Sequence, residues 1–155
     1  MRGVRVPDVV PRLSPAFQIL EGDFLHVPAP SGPGGYDAVA TLFFIDTAVD
    51  VPRTIAHIFA LLKPGGWWIN LGPLLWTGGG RAVELSLAEV LSVCRAVGFE
   101  IYGENVHEEA GDGDAQVKKK SALGRRTIRG EYTADREAMM RWVYEAEFWV
   151  ARKPA

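Results

Sequence analysis

Residues 36–73, YDAVATLFFIDTAVDVPRTIAHIFALLKPGGWWINLGP, decide the fold. From Ala38 to Ile45 the run is almost continuously apolar and rich in strand-forming residues, as in a strand covered on both faces. Asp46 ends it abruptly. Asp50 is placed to cap a helix that tolerates Pro52 in its first turn. Val51, Ile55, Ile58, Phe59 and Leu62 recur at helical spacing and give that helix one apolar face. Lys63-Pro64-Gly65-Gly66 stops it and turns the chain, and Trp67 to Leu71 reads as a second buried strand. Two strands joined by a crossover of roughly 20 residues make a right-handed parallel unit. Sheets of that kind bind ligands beyond the carboxyl ends of their strands. Asp46 and Gly72-Pro73 fall at those ends.

Working outward, residues 1–16 carry Pro7, Pro11 and Pro15 and read as an extended connector. Phe17 to Leu20 is expected to form a short strand, and Glu21-Gly22-Asp23-Phe24 a turn. The Pro/Gly-rich stretch from His26 to Gly35 is a loop. After the central unit comes Gly78-Gly79-Gly80, a lid or a plain surface loop. Ser86 and Glu89 make a capping box. Leu87, Val90, Leu91, Cys94 and Val97 then mark one helical face, and Gly98 stops it. Phe99 to Tyr102 is the next expected strand. Residues 104–130 pass from acidic and glycine-containing to basic (Lys118, Lys119, Lys120, Arg125, Arg126, Arg129) and are expected to be an exposed, partly disordered insertion. Thr133 is placed to cap a short helix through Met140. From Trp142 the period is closer to two, putting Trp142, Tyr144, Ala146, Phe148 and Val150 on one face of a final strand.

The totals narrow the possibilities. A chain of 155 residues with 48% apolar residues supports one packed domain or part of a larger one. A net charge of −2 gives no electrostatic case for nucleic acid. The single cysteine, Cys94, excludes an internal disulfide framework and a multi-cysteine zinc site. No stretch has the apolar length to span a bilayer, and the amino terminus has no signal-peptide core. A cytoplasmic or nuclear protein is therefore expected.

Few residues carry chemistry. There is no G-x-G-x-x-G turn, P-loop, H-E-x-x-H or G-x-S-x-G. His26, His57 and His107 are scattered and suit no metal site. Cys94, among Val90, Leu91 and Val97, reads as a buried inert thiol. Asp46 at a buried strand end needs a partner, because an unpaired carboxylate there is costly. That partner is a ligand, a local turn with Thr47, or water. Asp23 in Gly-Asp-Phe and Asn70 inside the second strand are the other polar candidates.

These residues then assemble into a resemblance. VRVPDV at 4–9, GDF at 22–24, ATLFFIDTA at 40–48, LKPGGWWINLGPLL at 62–75, ELS at 84–86 and the MM…Y…RKP tail at 139–154 resemble the carnosine N-methyltransferases of the N2227-like family. The match covers nearly the whole chain outside the insertion. It implies an α/β fold, a partial Rossmann-like class I methyltransferase made of the later strands of the parallel sheet plus an antiparallel carboxyl-terminal strand. Residues 1–155 would then be the carboxyl-terminal part of a methyltransferase domain, without the glycine-rich cofactor loop. The implied reaction transfers the methyl of S-adenosylmethionine to the imidazole of a histidine-containing dipeptide such as carnosine, giving anserine. Asp23 and Phe24 would meet the adenine side of the cofactor, and Leu42 stands where the family places a cysteine near it. Asp46 would be the catalytic carboxylate and contact the acceptor, with Tyr144 lining its pocket. Trp142 and Thr77 hold positions where the family has a tyrosine and a substrate-contacting histidine. Those departures imply an altered acceptor preference or a lost activity. The alternative is a non-catalytic half-fold that binds a partner chain, or a second copy, across the unpaired edge of the first strand.

Overall fold

The computed structural model describes residues 9, 10, 12, 14, 17–30, 34–76, 83–103, 123–131, 137 and 139–155. They form an α/β unit in the order β1 (Tyr36–Leu42), α1 (Val51–Leu61), β2 (Leu62–Gly72), α2 (Leu87–Val97), β3 (Glu100–Ile101), β4 (Arg126–Glu131) and β5 (Val143–Arg152). The sheet runs β1-β2-β5-β3, with β4 also on β5. β1 and β2 are parallel. β5 lies antiparallel to β2, and β3 and β4 lie antiparallel to β5. The expected parallel unit and antiparallel last strand are both present.

Local chemistry explains the helix ends. The Asp50 carboxylate accepts from the Arg53 amide at 3.0 Å and caps α1. At the other end, Lys153 reaches back from beyond β5. Its Nζ donates to the Phe59 and Leu62 carbonyls at 2.9 and 2.6 Å and stands 4.6 Å over the Phe59 ring. The Phe59 carbonyl lies in the last turn of α1, where no helical amide follows to bond it. The capping box of α2 is complete, and Gly98 closes the helix at φ 116°, where a side chain would be strained.

The Ser86 hydroxyl, and then its amide, hold the Glu89 carboxyl below its ordinary value of 4.5. Because the folded value is the lower one, this cap contributes above the ordinary carboxylate range and is lost as pH falls through the folded value. Wild-type α2 should therefore fray as the pH is lowered from neutral through the carboxylate range. Glu89→Gln should remove that dependence. Amide exchange along Leu87–Val90 measures it, and an unchanged pH profile in the variant would count against the cap.

Both helices pack on one side of the sheet. Ile55 and Ile58 of α1, Val90 and Cys94 of α2, and Trp68 and Trp149 of the strands are all fully buried there, together with Phe99. Trp68 meets Trp149 edge-on at 5.7 Å, and Phe59 meets Phe99 at 5.0 Å. Strand register places Ala38, Ala40 and Leu42 beside Trp67, Ile69 and Leu71 on the other face, with Phe148 next in line.

Several expected boundaries move. β1 stops at Leu42, not Ile45, because Phe43 takes a φ of 50° and Ile45–Thr47 coils into a 3-10 turn. Residues 63–66 do not leave the sheet. β2 begins at Leu62, with a register break opposite Tyr36 and Ala38, and the Gly65 amide bonds to the Lys153 carbonyl at 2.9 Å. Phe17 to Leu20 is exposed and not a strand, since its backbone bond goes to Ser14 in an isolated bridge. The strand expected over Phe99–Tyr102 is two residues long. Of the insertion, residues 104–122 lie outside the described residues, while Arg126 and Arg129 sit in β4. Thr133 lies outside as well, and Met139 and Met140 form a bend rather than a helix. β5 starts at Val143, one residue after Trp142.

Candidate functional site

The site grows from the carboxyl end of β1. Phe43 turns sharply there, and its amide still bonds to the Leu71 carbonyl at 2.8 Å. Gly72 permits this approach. A Cβ at that position would stand 3.0 Å from the Phe43 backbone. The 3-10 turn that follows is closed by Thr47, whose hydroxyl donates to the Phe44 carbonyl at 2.6 Å. Thr47, not Asp46, therefore satisfies the local turn. Asp46 is 5% exposed, and its Oδ2 accepts from the Leu75 amide at 3.1 Å. Leu75 belongs to a strap, residues 73–76, that leaves β2. Its neighbour Trp76 has a φ of 50° and donates its indole N–H to the Leu85 carbonyl at 3.0 Å.

Asn70 serves the frame beneath. Its Oδ1 accepts from the Thr41 hydroxyl at 2.7 Å, and Thr41 accepts from the Trp68 indole at 2.9 Å. The Asn70 amide points to the Glu147 carbonyl at 3.4 Å. Buried polar groups bonded in this way lock neighbouring strands rather than wait for a ligand.

A hollow of about 420 Å³ opens beside the turn. Asp23, Phe24 and Leu25 line it from one side, and Phe44, Thr47, Ala48, Arg53 and Thr54 from the other. The Asp23 carboxylate accepts from the Leu25 amide at 2.9 Å and shapes its own short 3-10 turn, Phe24–His26. That turn aims Phe24 edge-on at Phe44, 5.0 Å away, and at His57, 5.2 Å away. Two stretches 20 residues apart in sequence, GDF and FFIDTA, are thus wedged together by aromatic contact.

Of the candidate residues, Asp23 and Phe24 line this hollow and Asp46 turns its carboxylate to the strap. The Tyr144 ring meets Phe43 edge-on at 5.2 Å, which brings β5 to the same strand end. Leu42 does not line the hollow. It lies on the opposite face, 67% exposed, because alternation sends Thr41 inward. Trp142 is 65% exposed, just before β5. Thr77 lies outside the described residues. Phe44, Arg53 and Thr54 were not singled out from the sequence. Their spacing of nearly three helical turns hides the shared wall until the turn at 45–47 is known. Trp76 carried a signal, since a half-buried indole N–H needs an acceptor.

Comparison with known proteins bears on this arrangement. The chain is 37% identical over 158 residues to the carnosine N-methyltransferase unmet of Drosophila melanogaster, covering 97% of this chain and 30% of that protein. It is 34% identical to the carnosine N-methyltransferase of Mus musculus, covering 99% of this chain and 35% of that one. For the Schizosaccharomyces pombe carnosine N-methyltransferase the figures are 30%, 98% and 40%. The chain thus spans about a third of the length of these relatives. Among solved structures, a putative methyltransferase from Bacillus halodurans aligns with a TM-score of 0.51 at 13% identity, over 86% of this chain and 70% of that one. A complex between the Haloferax volcanii Trm112 methyltransferase activator and a putative methyltransferase aligns equally well, with a TM-score of 0.51 at 18% identity, over 86% and 60%. These two support the fold, a partial class I methyltransferase sheet. No helix among the described residues is long and apolar enough to cross a membrane. The family model for carnosine N-methyltransferase matches residues 1–155, and the chain belongs to that family.

Proposed function

We propose that the chain supplies the acceptor-facing part of an S-adenosylmethionine-dependent N-methyltransferase acting on the imidazole of a histidine-containing dipeptide. The observation that carries this is the hollow walled jointly by Asp23-Phe24-Leu25 and by Phe44 with Thr47 to Asp50, beside the turn that holds Asp46. Its residues fit an adenosine. Phe24, Phe44 and Ala48 offer apolar surface to a purine, and Asp23 offers an acceptor to an amine. S-adenosylmethionine, when bound, supplies a methyl group on a positively charged sulfur. The chain's part is positioning. Asp46, with Oδ2 held by Leu75, accepts the N–H of the acceptor imidazole on Oδ1 and so selects the tautomer whose other nitrogen carries a free lone pair. It then offsets the positive charge that the ring gains. Holding that nitrogen in line with the methyl carries most of the rate effect. Tyr144 and Phe43 wall the same end of the sheet.

Methyl transfer from labelled S-adenosylmethionine to carnosine and related imidazole dipeptides, by the full-length protein, tests the reading. Transfer to none of them while the cofactor binds would end it. Phe24→Ala should weaken cofactor binding roughly five- to tenfold, the worth of one good aromatic contact, as measured by calorimetry. Unchanged affinity would remove Phe24 from the cofactor wall.

Acceptor preference is proposed to differ from that of the relatives. By the resemblance, Thr77 and Trp142 stand where the family carries a histidine and a tyrosine, so carnosine itself need not be the best acceptor. Thr77→His in the full-length protein should raise the rate on carnosine. Absence of any gain would count against this.

A second reading is supported by the edge of β1. Among the described residues β1 pairs with β2 alone, and Leu42 and Ile69 are exposed on the adjoining face. Free edges of this kind take another strand. On this reading the chain binds a partner or a second copy and does no chemistry. The intact mass of the protein from its own cells separates the two. A species well above 17.0 kDa with a glycine-rich loop upstream favours the enzyme, and a 17.0 kDa species in a larger assembly favours the binding role.

A further inference from the structure

We propose that Trp76 is a positioning residue for Asp46, anchoring the 73–76 strap so that the Leu75 amide fixes one carboxylate oxygen and turns the other toward the acceptor. This rests on the reading of Asp46 as the acceptor-binding carboxylate. Asp46 is buried, and its hydrogen bond among the described residues comes from a backbone amide in that strap, at 3.1 Å. A backbone donor is only as well placed as the backbone that carries it. Here the next residue, Trp76, sits at a φ of 50°, a conformation that residues other than glycine rarely adopt. Something must hold it there. The indole N–H bonds to the Leu85 carbonyl at 3.0 Å, and the ring packs on the core with Leu74, Leu85 and Leu87. The strap's other end is fixed at Gly72, pressed against the Phe43 backbone.

Phe43 also has a φ of 50°. Among the described residues these two are the non-glycine positions in the left-handed region, and they bracket the Asp46 pairing. One lies just before the 3-10 turn that carries the carboxylate, and the other just after the amide that holds it. Strain kept at two such points, each secured by a hydrogen bond, marks geometry held for a purpose beyond packing. Leu85 immediately precedes the α2 capping residue Ser86, so the indole also ties the carboxylate's support to a rigid helix start.

The test uses Trp76→Phe, which keeps a ring and removes the donor, in the full-length protein. The Leu75 amide is read first by NMR. In Trp76→Phe the exchange of the Leu75 amide should quicken about tenfold through local opening. Kinetics come second. The kcat on an imidazole dipeptide should fall by on the order of 10²-fold, the effect of a small misplacement, with KM for S-adenosylmethionine unchanged. A Leu75 amide that keeps its protection overturns the proposal, as does an unchanged kcat. If Trp76→Phe does not fold, Trp76→Gly replaces it. Glycine accepts the backbone angle, so the strain is relieved while the anchoring side chain, donor and ring together, is lost, and retained Leu75 protection would again overturn the proposal. A wild type inactive on every imidazole acceptor removes the functional reading, and the Leu75 amide then decides the positioning claim by itself.

Discussion

Asp46→Asn is expected to lower kcat for methyl transfer by about 10²–10⁴-fold, the range for loss of a well-placed acid–base group, with the fold intact. The replacement is nearly isosteric. An asparagine side-chain oxygen can still accept from the Leu75 amide, so the strap keeps its anchor. What changes is the other position. Where the carboxylate offers a second oxygen, the amide offers an NH₂, which repels an imidazole N–H and cannot offset a positive ring. Because the loss falls on the charge that develops during transfer, kcat should drop far more than the affinity for S-adenosylmethionine. Steady-state kinetics with the full-length protein, beside a urea melt to verify folding, make the measurement. A variant with wild-type kcat would take Asp46 out of the chemistry and leave it a structural residue.

Trp68→Ala carries the largest expected effect on stability, a loss of about 3–5 kcal/mol as for other buried aromatic truncations. Trp68 is fully buried between Trp149 and Phe99, with ring centroids at 5.7 and 5.3 Å, and its indole donates to Thr41. Removing it opens a cavity where the two helices meet the middle of the sheet and breaks the chain of hydrogen bonds through Thr41 to Asn70. Domains of ordinary stability hold about 5–15 kcal/mol in all, so the variant sits near the edge of folding. Trp68→Phe separates the two contributions. It keeps most of the ring volume and loses chiefly the donor, for roughly 1–2 kcal/mol. Urea midpoints of the three proteins give the comparison. A Trp68→Ala loss below about 1 kcal/mol would mean that the core closes over the gap, contrary to its close packing.

What the sequence revealed depended on how local the cause was. Asp50 with Arg53, and Ser86 with Glu89, lie within one helical turn of each other, so both helix starts were readable. The end of β1 was not, because Phe43 turns through contact with Gly72, which arrives from another strand. β4 was hidden for a related reason. Arg126 to Glu131 is mostly exposed and has no apolar face, and pairing with β5, which comes later in the chain, makes it a strand. Near the hollow, Asp23 and Phe24 are held by a short polar cap whose partners lie two residues apart, so their local turn was readable. Leu42 was assigned to the cofactor by resemblance. Simple alternation, with Thr41 facing inward, sends it to the opposite face. Trp142 falls one residue short of β5, so the strand period read from the sequence does not fix its direction. The wall made by Phe44, Arg53 and Thr54 depended on a 3-10 turn that no sequence spacing announces.

The clasp of Lys153 on the end of α1 has a consequence in time. Lys153 lies 91 residues beyond Leu62, whose carbonyl it binds. At the roughly 5–20 residues per second of protein synthesis, the ribosome needs on the order of 5–20 s to deliver it. Until then the Phe59 carbonyl at the end of α1 is without its lysine and β2 lacks its antiparallel neighbour. During that interval the nascent helix, and the wall of the hollow that it carries, are exposed to chaperones and proteases in a form that the finished protein no longer offers.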